Sequence, residues 1–562
     1  MRHRGLLLIL ALLLVDCAAP RGPAADGAAD PLNPGSVPQR TLVVATDAEL
    51  EGFGEMFAGG KSGPEHLQAM VHRSLADTDE QGIYFAQAAA ELPSQANGTW
   101  RVLPDGRSET IWKLRPNALW HDGTPLSAED VRFSWQVAIA PDVPYRSRSA
   151  AMQIDAVEAI DATTVNILWK SFYVGGGRLS ARDLFLLPSH RLEETFLSDR
   201  AAFVNSTYWS SAFVGLGPYR IVDWEPGTAA HIEIFDGFFG ERPRIQSITF
   251  KSIPDVSTGI ANILAGDVDV WLGSSLGTET IQFLKEQYEA RGGGRVLTYP
   301  RQIFEVRLAP EDQRVADVRV RKALYQAMDR DAIVRDLFLG LVEVAHTYVI
   351  PGTSGWDEID RSVTRYPYDP ARAAALLTEA GWRRDGDSVL RNERAEAFTL
   401  PFSTTTANKE RESLQAVVAN MWKAAGFDVV IQNAPLAVQN EASYRFATTD
   451  ISGISADFEA NMPRIDSRNL RTERNQRGAN VWGYVNPEVD GLLDEWYRTP
   501  ERPRQIGIEA AVMHRVSEDL PILTINYRFE AVTESRGVRG VPTRTAIASA
   551  TNAWNVEKWE LI

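Results

Sequence analysis

The chain has 562 residues, and at about 150 residues per domain this length excludes a single small core. Its 58 basic and 74 acidic residues give a net charge of −16, which disfavours binding to nucleic acids or to anionic lipids. The one cysteine excludes a disulfide framework, a CxxC redox pair and a cysteine-rich zinc site, and none of the eight histidines stands in an HExxH zinc-protease motif.

The first 17 residues have the pattern of an export signal. A short basic head precedes the unbroken apolar run 5–15, which is too short to span a bilayer core of about 30 Å but suits a signal peptide. Cys17 follows at once, and 14–17 resembles a lipoprotein box, in which the cysteine is acylated, although Asp16 departs from that pattern. We therefore expect a protein of the periplasm or cell envelope, either lipid-anchored through Cys17 or released by ordinary cleavage.

Residues 18–40 are rich in alanine, proline, glycine and aspartate. Such a segment buries too little apolar area to fold, so it is predicted to be a disordered tether. No later stretch approaches the roughly 18 consecutive apolar residues of a transmembrane helix, so no membrane span is predicted in the mature chain.

The first strand is predicted over Thr41–Thr46, which is apolar and β-branched. The loop after it carries Asp47 and Glu49, which are candidate ligand contacts because ligands of α/β lobes gather at the carboxyl ends of strands. Beyond this loop, short apolar runs alternate with helical patterns, which predicts an α/β fold.

Four helices further along the chain have clear boundary signals. Asp317 and Asp369 are predicted N-caps, and Gly340, Gly381 and Gly426 are predicted C-terminal ends. Their buried stripes are predicted at Val320, Leu324, Ala327 and Met328; at Ile333, Leu337 and Phe338; at Ala373, Leu376, Leu377 and Ala380; and at Leu414, Val417, Val418, Met421 and Trp422. The last helix leads into a predicted strand at Asp428–Ile431.

One segment has the form of a catalytic motif. Gly273–Gly277 matches the GxSxG nucleophile elbow and lies between a predicted strand at 269–272 and a predicted helix at 278–289. On this interpretation Ser275 is the nucleophile of an exported α/β serine hydrolase. The alternative is a glycine–serine turn, and no HGGG-type oxyanion loop precedes the motif.

Five blocks of sequence, in order along the chain, carry a resemblance to a known family. They are Trp112–Pro116 with Trp120–Val131; Gly215–Tyr219 with Val222–Gly227; Ile253–Asp255 with Leu264–Val270; Val318–Leu324 with Met328–Arg330; and Asn486–Asp490 with Leu492–Asp494. The first block, which includes the run W-H-D-G-T-P-L-S-A-E-D-V, is similar to a signature segment of the peptide/nickel class (family 5) of extracellular solute-binding proteins of ABC transporters. Together the blocks identify the chain as a member of that class, which includes oligopeptide- and dipeptide-binding proteins.

The resemblance implies an α/β fold of the Venus-flytrap type, with two lobes, a ligand between them and closure by hinge bending. The first lobe is expected to be discontinuous, over 41–301 and 521–562, with an extra subdomain at about 77–190. The second lobe is expected over 302–520.

The resemblance also implies a receptor rather than an enzyme. It is expected to capture peptides or related amine-bearing solutes and to deliver them to an ABC-transporter permease in the inner membrane. We expect a monomer that needs no cofactor, resident metal or nucleic acid and meets the membrane only through a lipid anchor. The alternatives are the serine hydrolase described above, or a receptor of the same fold for an opine, a sugar or a metal chelate.

The resemblance further suggests where the ligand is held. In peptide-binding relatives an aspartate in a W-x-x-D segment pairs with the α-amino group of the ligand. Here that segment reads Ile454-Ser455-Ala456-Asp457-Phe458, so Asp457 matches and Ile454 replaces the usual tryptophan. Asp457, Phe458 and Ile454 are therefore candidate ligand contacts, and the alternative for Asp457 is an exposed loop carboxylate.

Three residues beyond this segment complete the candidate set. Arg464 begins a basic series with Arg468 and Arg471, whose spacing puts all three on one face of a helix. Arg464 is a candidate for binding a carboxylate or phosphate of the ligand, and the alternative is a solvated basic face. Trp482 and Tyr484 are candidates for stacking on the ligand, and the alternative for both is a place in the core or hinge.

Overall fold

The structure, a computed structural model, describes residues 40–53, 65–145, 148–273, 276–386, 388–439, 441–472, 475 and 478–562. The predicted signal peptide with Cys17 lies outside these residues, as does nearly all of the tether, and so does Ser275. From Thr41 to Ile562 the chain forms one contact unit. In the part of the chain so described, no helix is both long and apolar enough to cross a bilayer.

The described residues form twenty strands. In chain order, β1 to β10 are Leu42–Thr46, Ala76–Thr78, Tyr84–Ala86, Trp100–Val102, Ser108–Lys113, Ile154–Ala159, Thr164–Trp169, Tyr219–Glu225, Ala229–Ile234 and Ser247–Ser252. Strands β11 to β20 are Val270–Trp271, Gly294–Arg307, Arg383–Arg384, Leu390–Arg391, Thr399–Ser403, Asp428–Ile431, Thr449–Ser455, Ile522–Ser535, Val538–Arg539 and Glu560–Leu561.

Sixteen α-helices occur in the same described residues. Helices α1 to α8 are Glu65–Val71, Ala128–Ile139, Ser189–Ser198, Arg200–Val204, Val256–Ala265, Thr278–Leu284, Val318–Gln326 and Arg330–Ala332. Helices α9 to α16 are Trp356–Ser362, Pro370–Glu379, Lys409–Ala424, Leu436–Gln439, Ala442–Ala447, Phe458–Ile465, Pro487–Tyr497 and Arg502–Asp519.

The main sheet has ten strands in the order β16-β15-β17-β12-β18-β11-β1-β10-β9-β8. Its centre is the antiparallel pair β12 and β18, which are 14 residues long each. Strand β1 runs parallel to β10 and β11 on one side of this pair, and β15 runs parallel to β16 and β17 on the other. Parallel pairs joined through helices are the expected form of an α/β fold.

The two central strands connect separate hydrophobic cores. The first core combines residues between Leu42 and Tyr299 with residues from Val532 onward. A second and a third core are built mainly from residues between Ile303 and Tyr527, and Val174 and Phe172 from the earlier part of the chain pack into the third. The chain thus has a core on each side of the middle of β12 and β18, while the residue limits of the two lobes and the subdomain stay predictions.

A four-stranded antiparallel sheet, β4-β5-β7-β6, lies with α2 within the range predicted for the extra subdomain. The buried Asp130 holds this region together, because its carboxylate accepts hydrogen bonds from the Ser127 N–H at 2.9 Å, the Ser189 N–H at 2.8 Å and the Trp120 indole at 3.2 Å. These residues of the signature block therefore stabilise the scaffold.

The structure confirms most of the predicted elements. The first strand is Leu42–Thr46, Asp317 and Asp369 cap α7 and α10 with their side chains, and the strand after α11 covers Asp428–Ile431 as predicted. Gly381, at φ 87°, follows the end of α10 in the left-handed region where glycine is favoured. The second predicted helix differs, because only Arg330–Ala332 is α-helical and a π-helical turn follows it.

Candidate functional site

A cavity of about 740 Å³ lies between the two sides of the fold. One wall includes Tyr84, Trp100 and Arg178, which precede β12 in the chain. The opposite wall includes Asp457 and Phe458, which follow β12. A concave, partly apolar space of this size is typical of a small-ligand site, for which volumes of about 300–1,000 Å³ are usual.

Asp457 stands at the junction between β17 and α14. It is the N-cap of α14, and its carboxylate accepts a hydrogen bond of 2.6 Å from the Ala460 N–H. The side chain is half-buried and makes no ion pair with another described residue. A carboxylate at a helix N-terminus, with one oxygen left toward a cavity, is suited to accept a cationic group.

The surroundings of Asp457 disfavour its charged form. Burial raises the pKa of the Asp457 carboxyl to about 6, and the nearby Glu459 carboxylate adds to the rise, while the hydrogen bond from Ala460 opposes it. A ligand ammonium ion would oppose the rise, because its positive charge, like that of Arg182, favours the ionised carboxylate.

One ion pair joins the two walls directly. The Arg178 guanidinium donates to both oxygens of Glu459, at 2.7 and 3.1 Å. Arg178 also lies over the ring of Tyr84 in its own wall and over the ring of Trp496 in the third core, at 5.2 and 5.5 Å from their centroids. Although burial opposes its charge, the pKa of Arg178 is raised because Glu459 and other acidic groups surround it.

Aromatic side chains form the apolar part of the first wall. The Trp100 ring stacks on Phe172 with centroids 5.3 Å apart and an interplanar angle of 4°. The Trp100 indole nitrogen is buried and has no hydrogen-bond partner among the described residues.

Sequence reasoning found Asp457 and Phe458 but missed Tyr84, Trp100 and Arg178. These three lie outside the blocks that carry the resemblance, and no local pattern marks Tyr84 or Trp100. The nearest signal was the glycine run before Arg178, which suggests a close approach of the backbone to another element.

The other candidates of the second lobe lie outside the lining of the cavity. Ile454, Trp482 and Tyr484 are buried in the third core, where the Tyr484 hydroxyl donates to the Asp519 carboxylate at 2.7 Å. Arg464 lies over the Trp482 ring at 6.0 Å. For Trp482 and Tyr484 the structure thus places both rings in the core, the alternative left open by the sequence.

The predicted basic helix face does not form. Helix α14 ends at Ile465, and Asp466 then caps a separate turn by accepting a hydrogen bond of 2.9 Å from the Arg468 N–H. Arg464 is therefore in the helix, whereas Arg468 and Arg471 follow it. The Arg468 guanidinium pairs with Asp466 and Asp494 at 2.8 and 2.6 Å.

The loop after β1 is also separate from the cavity lining. Asp47 is half-buried and Glu49 is exposed, and neither lines the cavity. The flanks of the GxSxG segment are confirmed as strand β11 and helix α6. No group of three or more potential metal-binding side chains (His, Cys, Asp or Glu) occurs where the chain is described.

Comparison with known proteins identifies the family. Residues 92–469 match the family described as "Bacterial extracellular solute-binding proteins, family 5 Middle". The oligopeptide-binding protein AppA of Bacillus subtilis is 23% identical over 572 residues, which cover 99% of this chain and 97% of AppA.

Solved structures give the same fold. The structure of AppA from Bacillus subtilis in complex with a nonapeptide has a TM-score of 0.67 and 22% identity, and the match covers 93% of this chain and 99% of AppA. NikZ from Campylobacter jejuni in complex with Ni(L-His) has a TM-score of 0.71 and 21% identity, and that match covers 93% of this chain and all of NikZ. The fold is the two-lobe α/β fold of periplasmic binding proteins, as predicted.

Proposed function

Because the chain belongs to the family 5 bacterial extracellular solute-binding proteins, we propose that it captures peptides by their α-amino group and delivers them to an ABC-transporter permease. The family binds solutes outside the cytoplasm, and no comparison supports the serine-hydrolase alternative at Ser275. Lipid anchoring through Cys17 remains a prediction.

The observation that carries the proposal is the position of Asp457. Its carboxylate faces the cavity between the two lobes, and no basic side chain of the described residues forms an ion pair with it. The cavity around it offers aromatic and apolar walls for the body of a ligand. AppA, which matches nearly the whole chain, is named as an oligopeptide-binding protein, and this supports a peptide as the ligand.

Native mass spectrometry tests the proposal on the mature protein purified without refolding. We expect a bound mass, or a ladder of peptide masses, that is lost on denaturation. Calorimetry then compares tri-alanine with N-acetyl tri-alanine, which lacks the cationic amine. Peptide binding that is unaffected by acetylation would contradict recognition at Asp457, and a bound opine, sugar or metal chelate would replace the peptide in the proposal.

The affinity for peptides should depend on pH. Only the ionised carboxylate attracts the ammonium group, and the pKa of Asp457 without ligand is about 6. The charged fraction therefore falls from nearly all at pH 7 to about one tenth at pH 5, so the dissociation constant should rise about tenfold over this range. Calorimetry at pH 7, 6 and 5 measures it, and the N-acetyl peptide, whose weaker binding needs no ammonium, is the control.

A further inference from the structure

A second, smaller chamber opens from the ligand cavity at Asp457. It has a volume of about 110 Å³ and shares Asp457, Arg182 and Ile350 with the large cavity. Both lobes contribute to its walls. Its size is well below the roughly 300 Å³ of a small whole-ligand pocket, so it suits one short side chain and not a stretch of peptide.

The walls of this chamber are mainly cationic. Arg182, Arg301 and Arg544 line it, and the only carboxyl groups among its described lining residues are those of Glu80 and Asp457. A ligand ammonium ion at Asp457 would neutralise one of these two carboxylates. Of the carboxyl groups that line the chamber, Glu80 would then be the one left to balance the three guanidinium groups, with Glu530 beside Arg301 outside the lining.

The three arginines differ in the partners that their guanidinium groups already have. Arg301 lies 3.5 Å from Glu530 and donates to the Ala550 carbonyl at 3.1 Å, and Arg544 donates to the Pro351 carbonyl. Arg182 is exposed to the cavity and makes no ion pair or side-chain hydrogen bond in the described part of the chain. Its charge opposes the rise in the pKa of the nearby Asp77 and Asp457 carboxyls, but no described carboxylate lies within ion-pair distance of it, so a ligand carboxylate can form a forked pair with its guanidinium.

This inference rests on the proposed capture of a peptide amine at Asp457. We propose that the small chamber selects peptides whose first residue carries an acidic side chain, with Arg182 as the specificity-determining residue. The ammonium group binds Asp457, the carboxylate of the same residue enters the chamber, and the rest of the peptide follows the large cavity. The selected ligands are then peptides that begin with glutamate or aspartate.

Calorimetry with two peptides of equal shape tests the selectivity at pH 7. Glu-Ala-Ala should bind about tenfold more tightly than Gln-Ala-Ala, which corresponds to one charge-assisted pair of about 1.4 kcal/mol. In Arg182→Gln the two affinities should differ by less than about twofold, because the fork is lost. The matched control is Arg220→Gln, since Arg220 is an exposed arginine of β8 without an ion pair that lines neither cavity; it should keep the full preference.

The outcomes separate this inference from the proposed function. Equal binding of both peptides to the unmodified protein, or a preference that persists in Arg182→Gln, would overturn the selectivity alone. A loss of affinity on amidating the C-terminus of Gln-Ala-Ala that disappears in Arg182→Gln would assign the chamber to the terminal carboxylate and overturn it as well. Binding of neither peptide would overturn the proposed function.

Discussion

Replacing Asp457 by asparagine should lower the affinity for free-amine peptides by about 100-fold. Truncating one partner of a desolvated charge pair usually costs about 2–5 kcal/mol, and 100-fold corresponds to roughly 2.7 kcal/mol. Asparagine is as good an N-cap as aspartate, so the hydrogen bond to the Ala460 N–H and the start of α14 should survive. Calorimetry of Asp457→Asn with tri-alanine measures the loss.

Two controls make this result specific to the charge. Thermal unfolding of Asp457→Asn should stay close to that of the unmodified protein, because the cap is retained. The variant should bind tri-alanine and N-acetyl tri-alanine with similar affinity, and its affinity should no longer change between pH 7 and pH 5. A variant that still prefers the free amine by 100-fold would refute the role of Asp457.

Replacing Arg178 by methionine should weaken ligand binding by up to about 30-fold by opening the cleft. Arg178 and Glu459 form a bidentate ion pair across the lobes. Val174, on the same loop as Arg178, packs into the third core. Breaking a fully buried pair costs about 3–5 kcal/mol, but the Glu459 side chain is 38% exposed, so we expect roughly 2 kcal/mol. The apparent affinity falls in proportion to the closed fraction, so this shift sets about 30-fold as the upper limit of the loss.

Calorimetry and small-angle scattering of the ligand-free protein measure this effect. The radius of gyration should increase in Arg178→Met, whereas Arg468→Met, which breaks ion pairs with Asp466 and Asp494 within one lobe, should change neither quantity. In Glu459→Gln the pH midpoint of binding should fall, because Glu459 helps to raise the pKa of Asp457. An unchanged affinity in Arg178→Met would show that the pair does not hold the cleft closed.

Local signals in the sequence predicted a large part of the scaffold. Asp369 marks the start of α10 and Gly381 its end, because an aspartate cap and a left-handed glycine act through neighbouring backbone groups. The π-helical turn that follows Arg330–Ala332 was not predicted. The spacing of the apolar residues in this segment does not distinguish a π-helical turn from an α-helix. The basic helix face failed for a related reason: Asp466 starts a new turn in the middle of a regular arginine spacing.

The sequence by itself determined the family, the α/β class and two candidates that line the cavity, Asp457 and Phe458, because these depend on motifs that are contiguous in the chain. Only the tertiary structure decided which other side chains surround the cavity. Arg178 and Glu459 are 281 positions apart, and their contact exists only where the lobes meet. The same folding moved Trp482 and Tyr484 into the core, since burial of an aromatic ring depends on what packs against it and not on its neighbours in the sequence.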